Sequence, residues 1–410
     1  MSLSIPRGIV YHTLGQDIGA LFSATFAPLD DTGTVRSFEA AFATYQGREH
    51  CVAFPFARVA IYEALRARAI APGSEIIMPP ITIKAMLDVV LELGLVPVFV
   101  DLDPETLCFS EEALQEAITD KTKAILITYL FGMVPRVAEM VAMCRERGIF
   151  VLEDFSQCLN GRYDDQKVGS FGDVGIYSAS SIKTLDTYGG GLLVCDDGAL
   201  VEKLRTAQAA LQPPSRVLLI KKIATDLARN LATRRFVFHF GTFPLIKLMG
   251  WLKPGSTMKH TGGRNQEMVD QLPKWWFERY TSFQARLGMK LLPGVAESDG
   301  QRISNVRTLQ HKAPAVRFPQ GVDSGSSVYW QLVGYFDKPS EATGSLGARG
   351  VDTSTTSLEK ISNLAAYPVK GVTPNADRLY SNGLLIPAYT RLSDQDVARV
   401  ADALGDVSSR

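Results

Sequence analysis

From about Thr34 to Val151 the chain alternates between two hydrophobic rhythms. In VRSFEAAFATYQG, RVAIYEALRARAI, IKAMLDVVLELGL, EEALQEAI and VAEMVAMCRERG, apolar residues recur three and four positions apart, the period of a helix with one buried face. Between them lie CVAF, EIIMPP, VPVFVDLD, AILITYLF and IFVLED, short apolar runs with no polar alternation. Such runs predict strands buried on both faces. Joined by helical crossovers, they predict a parallel sheet covered on both sides. PGSE stops the second helix, Gly94 the third, and Gly148 is placed to cap the fifth.

After Asp154 the texture changes. VGIYSAS and GGGLLVCDD predict two further strands, closely connected. Val201 to about Gln271 is rich in Leu, Arg and Lys; between Arg216 and Lys253 stand eight basic residues and one acid, Asp226. PKWWFERYTSFQARLGMKLL predicts one helix with a heavy aromatic load. The last third contains VYWQLVGYF, GLLIPAY and a closing helix, SDQDVARVADALGDV, with Ser393 as N-cap and an acidic first turn. The expected division is a large domain over 1–200, a basic, apolar helical insertion over 201–275, and a smaller α/β domain over 276–410.

Composition narrows the class. With 410 residues, 46% hydrophobic and 21% charged, the chain is a folded protein of more than one domain. Its 43 basic and 43 acidic residues balance, which removes any global attraction to nucleic acid. Cys51, Cys108, Cys144, Cys158 and Cys195 have no metal-ligand spacing, so no metal is expected, and scattered thiols fit a reducing compartment. The start, MSLSIPRGIVYH, has no signal-peptide core, and FVFHFGTFPLIKLMGWL is shorter than a membrane span and interrupted by His239, Pro244 and Lys247. A cytoplasmic location is the expectation.

Ligands of a parallel sheet gather at the carboxyl ends of its strands. Three groups fall there. FPFARVAIYEAL is a strand-to-helix turn whose helix N-terminus suits a phosphate, although Arg58 is equally read as a solvated helix-start residue. In VLEDFSQCLNGRY, Asp154 ends a buried strand and needs a partner; taken alone, an Asp there more often caps a loop. Gln157 follows three residues later, placed for the same ligand or for the loop backbone. In YSASSIKTLDTYGGGLLV, Ser178 ends a strand and Lys183 lies five residues on, among small hydroxyl residues and before Gly189–Gly191. An arbitrary lysine is exposed and inert, whereas a desolvated one has a lowered pKa and is a nucleophile. A phosphate turn, a strand-end carboxylate and a loop lysine, in this order on one sheet, are the set that pyridoxal phosphate requires.

With these residues the chain resembles the DegT/StrS-type sugar aminotransferases, which have the pyridoxal-phosphate fold type I. The resemblance runs from about Thr34 to Asp197, resumes near Arg279 to Gly288, and resumes again from Pro374. It implies a mostly parallel α/β sheet with helices on both faces and a smaller C-terminal domain. It implies that Lys183 carries the cofactor as a Schiff base and shuttles protons, and that Asp154 pairs with the pyridine nitrogen. Gln157 then contacts the ring's phenolic oxygen, and Ser178 binds the phosphate with the backbone N–H groups of Ala57 and Arg58. The active site of the family lies at a homodimer interface. Four positions depart from the pattern. Ile83 stands where an aromatic residue stacks on the ring, beside a retained Thr82. Phe56, Ala57 and Arg58 replace Ser-Gly-Thr. Phe277 replaces an Asn that reaches the partner's phosphate, although Arg279 matches. A His-Tyr pair is missing from VDTSTTSLEKISNLAAYP.

The expected activity is amino transfer from an amino acid, glutamate first, to a keto or aldehyde sugar, nucleotide-linked, in glycan or polysaccharide synthesis. A dehydratase of the same family is one rival, but such members carry His where this chain has Lys183. A cofactor-binding regulatory protein without turnover is another. The stretch 216–253 has two readings: an interfacial helix on anionic lipid, giving a peripheral contact at the inner membrane face, or a flap packed on the dimer partner.

Overall fold

The structure, a computed structural model, describes residues 3–252, 271–363 and 372–408. Within the predicted insertion, 253–270 lie outside the described residues, as do 364–371, which include the end of the stretch searched for the His-Tyr pair.

Helices α1 (Leu14–Phe26) and α2 (Thr32–Gln46) precede the sheet. There follow β1 (His50–Phe54), α3 (Ala57–Ala67), β2 (Glu75–Met78), α4 (Lys84–Glu92), β3 (Val96–Phe99) and α5 (Glu111–Ala117). Next come β4 (Thr122–Thr128), α6 (Val137–Glu146), β5 (Phe150–Asp154), β6 (Val174–Ser178), β7 (Gly191–Cys195), α7 (Gly198–Ala210) and α8 (Arg216–Thr233). The strands form one sheet in the order β1-β7-β6-β5-β4-β2-β3. Strand β7 is antiparallel to β1 and β6, and the other pairs are parallel.

The unalternated apolar runs are explained by two cores. Ile125 and Ile127 of β4 pack with Phe38 and Phe42 of α2 and Met140 of α6. Their neighbours Ala124 and Leu126 face the other side, with Ile61 of α3, Val89 of α4 and Leu204 of α7. A strand apolar on both faces has no polar stripe to show, so its sequence carries none.

Past the sheet, α8 packs on α1, burying Ala20, Ala24, Leu219 and Ile223 against Tyr188. The chain leaves helical geometry at Arg234 and re-forms as a short wide turn, Phe238–Thr242, and α9 (Phe243–Leu252). The single helix expected over PKWWFERYTSFQARLGMKLL is not formed. Lys274–Phe277 is a tight turn, the backbone then runs extended, and α10 covers Ser282–Leu291. The reason is competition for backbone bonds. Gln212 donates its N–H to the Phe277 carbonyl at 2.9 Å and accepts from the Arg279 N–H at 2.8 Å. Thr281 and Gln284 then form a capping box that starts α10 afresh.

The remainder comprises α11 (Val295–Lys312), β8 (Leu332–Tyr335), α12 (Pro339–Ala348), α13 (Pro374–Asn382), β9 (Gly383–Ile386) and α14 (Asp394–Ser408). Strands β8 and β9 pair antiparallel, and Leu309, Leu332, Leu346, Ile386 and Val400 form their own buried core. The Ser393 hydroxyl accepts the Asp396 N–H at 3.2 Å, the cap expected from the sequence.

Candidate active site

Strand β5 ends in two adjacent carboxylates, and the strand period sends them to opposite faces. Glu153 is fully engaged. It accepts N–H groups from Gly169, Phe171 and Gly172 at 2.7, 2.7 and 2.6 Å, and the Tyr129 hydroxyl. It therefore holds the loop before β6. Asp154 is also buried, but its partner is Ser156, whose N–H donates at 3.0 Å. Burial raises its pKa; the Ser156 bonds and the Lys183 ammonium oppose that shift. Asp154 thus keeps acceptor capacity that Glu153 has spent.

The serine chain continues across the sheet edge. The Ser178 N–H donates to the Ser156 hydroxyl at 2.9 Å, and the Ser178 and Ser180 hydroxyls lie 2.9 Å apart. The loop after β6 then carries Lys183, and it is pinned at several points. Asp186 accepts the Ile182 N–H at 3.2 Å and the Tyr188 N–H at 2.8 Å, tying both flanks of the turn. Ile182 and Tyr188 hold positive φ of 66° and 60°, a strained geometry that these bonds maintain. The Thr184 hydroxyl donates to Asp299 at 3.0 Å, and Asp299 is paired with the buried Arg302. From the other side, the Ser181 hydroxyl donates to Asp226 of α8.

Lys183 is partly buried, and its Nζ lies 3.8 Å from the centroid of the Trp330 ring. Loss of water around the ammonium brings its pKa down to about 8, against a smaller upward pull from Asp154. Trp330 in turn donates its ring N–H to the Ile182 carbonyl at 2.9 Å. Its segment reaches the sheet because Gly132 leaves room. A Cβ at Gly132 would sit 2.6 Å from the Trp330 nitrogen and 2.8 Å from the Gln157 carbonyl oxygen.

The Phe56–Arg58 turn closes the third side. Phe56 caps α3 with no side-chain hydrogen bond. Gly191, first residue of β7, pairs with Ser178 and also touches this turn; a Cβ there would meet the Phe56 carbonyl carbon at 2.4 Å and the Ala57 nitrogen at 2.5 Å. The antiparallel β7 thereby brings the start of α3 beside the end of β6. The Arg58 guanidinium stacks at 4.1 Å over both the Phe56 and Trp276 rings.

Asp154, Lys183, Ser178, Ala57 and Arg58 are thus gathered along one edge of the sheet. Gln157 sits there too: its Oε1 accepts the Phe131 N–H at 2.7 Å, which leaves the amide NH₂ as the free donor. Ile83 caps the N-terminus of α4, after β2 on the same carboxyl edge. Reasoning from sequence missed Asp186, Trp330, Lys222 and Asp226. The last two stand one turn apart on α8, in a segment read as an insertion that either lies on anionic lipid or packs on the dimer partner. Asp186 three residues after Lys183 was the legible signal among them.

The set fits pyridoxal phosphate. A buried carboxylate with acceptor capacity to spare suits a protonated ring nitrogen, and an amine of lowered pKa beside it suits attachment of an aldehyde. An uncapped helix start next to a serine hydroxyl suits a phosphate.

Comparisons with known proteins agree. The model of the "DegT/DnrJ/EryC1/StrS aminotransferase family" matches residues 29–213. The spore coat polysaccharide biosynthesis protein SpsC of Bacillus subtilis is 34% identical over 385 residues, covering 91% of this chain and 89% of its own. A UDP-N-acetyl-3-dehydro-alpha-D-glucosamine 3-aminotransferase of Acidithiobacillus ferrooxidans is 37% identical over 183 residues, 43% of this chain and 50% of its own. A crystal structure of a family aminotransferase from Brucella abortus superposes with a TM-score of 0.74 at 22% identity, covering 97% and 95% of the two chains. The chain therefore belongs to the DegT/DnrJ/EryC1/StrS family of pyridoxal-phosphate-dependent aminotransferases.

Proposed function

We propose that this aminotransferase moves an amino group from an amino acid, glutamate first among candidates, to a keto or aldehyde sugar carried on a nucleotide, for glycan or polysaccharide synthesis. The polysaccharide-biosynthesis role in the name of SpsC and the UDP-sugar aminotransferase activity named for the Acidithiobacillus protein support the substrate class. The observation that carries the reaction is the Lys183 amine, with its pKa brought down to about 8, in electrostatic contact with the buried Asp154.

When bound, pyridoxal phosphate supplies an aldehyde carbon and an electron sink for the charge left at the donor's Cα. Lys183 would hold that carbon through its Nζ and, once free, would take the proton from the donor's Cα. Asp154 would keep the ring nitrogen protonated. Gln157 would offer its NH₂ to the phenolic oxygen, and Ile83 would lie against the ring face. Ser178 and the N–H groups of Ala57 and Arg58 would hold the phosphate. Trp330 shields the Lys183 amine from water. The keto acid leaves before the sugar binds, which gives ping-pong kinetics. Lys183 disfavours the dehydratase alternative.

We further propose a homodimer with shared active sites, a division into 1–200, 201–275 and 276–410, and a peripheral contact of 216–253 with anionic lipid. No described helix is long and apolar enough to cross a membrane.

The test is covalent. Borohydride treatment of the loaded enzyme fixes one cofactor per chain, seen by mass spectrometry, and K183A carries none. Glutamate converts the absorbance of the wild type, and the keto sugar restores it. A K183A enzyme that transaminates at the wild-type rate would remove this mechanism.

A further inference from the structure

We propose that Lys222 of α8 is an in-chain ligand of the cofactor phosphate, adding a second positive charge to that of Arg58 at the Phe56–Arg58 turn. This rests on the cofactor reading above.

The position of the ammonium is the first argument. Lys222 Nζ lies 4.2 Å from the centroid of the Phe56 ring and 3.1 Å from where a Cβ of Gly189 would be. The Gly189–Gly191 backbone runs along the Phe56–Ala57 turn, with Gly190 bridged to Phe56 and Gly191 against the Ala57 nitrogen. The Lys222 ammonium therefore faces the turn that presents the first N–H groups of α3. Gly189 leaves the space it occupies.

The second argument is that α8 has no freedom to withdraw it. Asp226, one turn later on the same face, accepts the Ser181 hydroxyl two residues before Lys183. Further along, Asn230 donates to Asp17 at 2.6 Å, and Asp17 also accepts the Tyr188 hydroxyl at 2.6 Å. The helix is bolted to both flanks of the lysine loop, so Lys222 points inward while Lys221, its neighbour, is exposed.

The third is charge. Among the described residues Lys222 forms no hydrogen bond or ion pair. Its surroundings depress its pKa to about 8, through burial first and Arg58 second, against the weaker pull of Glu278 and Asp226. Two cations beside one aromatic ring repel each other, and their contacts with the ring offset only part of that cost. A phosphate dianion bound at the turn would relieve the repulsion. Phe277 packs its ring edge-on against Tyr62 at 5.6 Å and offers no donor.

The experiment titrates apoenzyme with pyridoxal phosphate and, separately, with pyridoxal, which lacks the phosphate, reading absorbance and tryptophan quenching. K222M and K222Q are expected to weaken pyridoxal phosphate tenfold or more and to leave pyridoxal within twofold. K222R recovers most of the loss, and K221M changes neither ligand. Melting curves identify any variant that fails to fold, and the remaining Lys222 variant then decides. Unchanged pyridoxal phosphate affinity in a folded variant overturns the proposal, as does equal loss for both ligands, which would make Lys222 a packing residue. Wild-type enzyme that binds neither compound would instead sink the cofactor reading itself.

Discussion

At the scale of single residues, the site is a set of groups deprived of water to different degrees. Asp154 and Glu153 are neighbours in sequence, yet one has four donors and the other rests on Ser156. Lys183 has a pKa near 8 where a lysine ordinarily has 10.5. Only the neutral amine attacks an aldehyde, so the rate of cofactor attachment to apoenzyme should rise about tenfold per pH unit below 8 and level off above it. Stopped-flow absorbance measures this, and a rate still climbing at pH 10 would put the lysine at its ordinary value. The stability sign follows from the same shift. Between about 8 and 10.5 the unfolded chain binds a proton that the folded chain lacks, so apoenzyme stability gains a contribution from Lys183 as pH rises through that window.

At the scale of elements, the site depends on how closely strands, turns and helices approach. Gly191 shows this best. The methyl group of G191A would overlap the Phe56 carbonyl carbon and the Ala57 nitrogen, so β7 or the start of α3 must shift, at about 1–3 kcal/mol. The expected outcome is a lower melting temperature and weaker pyridoxal phosphate binding. G198A, whose Cβ finds nothing nearer than His50 Nε2 at 4.0 Å, should change neither. Equal melting and equal affinity for G191A would show that the close approach is dispensable. The strands and crossover helices of the sheet were legible because each has a clean period. The break before α10 had a legible signal, the Thr281-x-x-Gln284 capping box, which the apolar run around it obscured. The role of α8 in the lysine loop was not legible, because Asp226 and Ser181 stand 45 residues apart.

At the scale of the molecule, one surface is unusual. Most of the large apolar side chains exposed among the described residues lie on α1 and on the stretch from α8 to α9. They include Phe22 and Phe26 at 68% and 70% exposure, and Phe240 and Trp251 at 57% and 78%. Helices α1 and α8 pack together, so the two sets adjoin. Lys221, Arg229 and Lys247 are exposed on the same stretch, and its one acid, Asp226, is buried. A two-fold contact of this patch with itself would oppose like charges, whereas anionic lipid would not. Phosphatidylserine vesicles should therefore float the protein at low salt, neutral vesicles should not, and W251E should abolish flotation. Light scattering should find a dimer for both wild type and W251E. A protein that ignores every vesicle and becomes a monomer on W251E would make the patch the dimer interface. The sequence by itself determined the mostly parallel sheet, its crossover helices and the order of turn, carboxylate and lysine, because those are written in local periods and in short motifs at strand ends. Only the tertiary structure decided that Trp330 covers Lys183, that Asp186 ties both flanks of its loop, and that Lys222 faces the Phe56 turn. Those contacts come from distant segments and close turns, and no local pattern encodes which of them will meet.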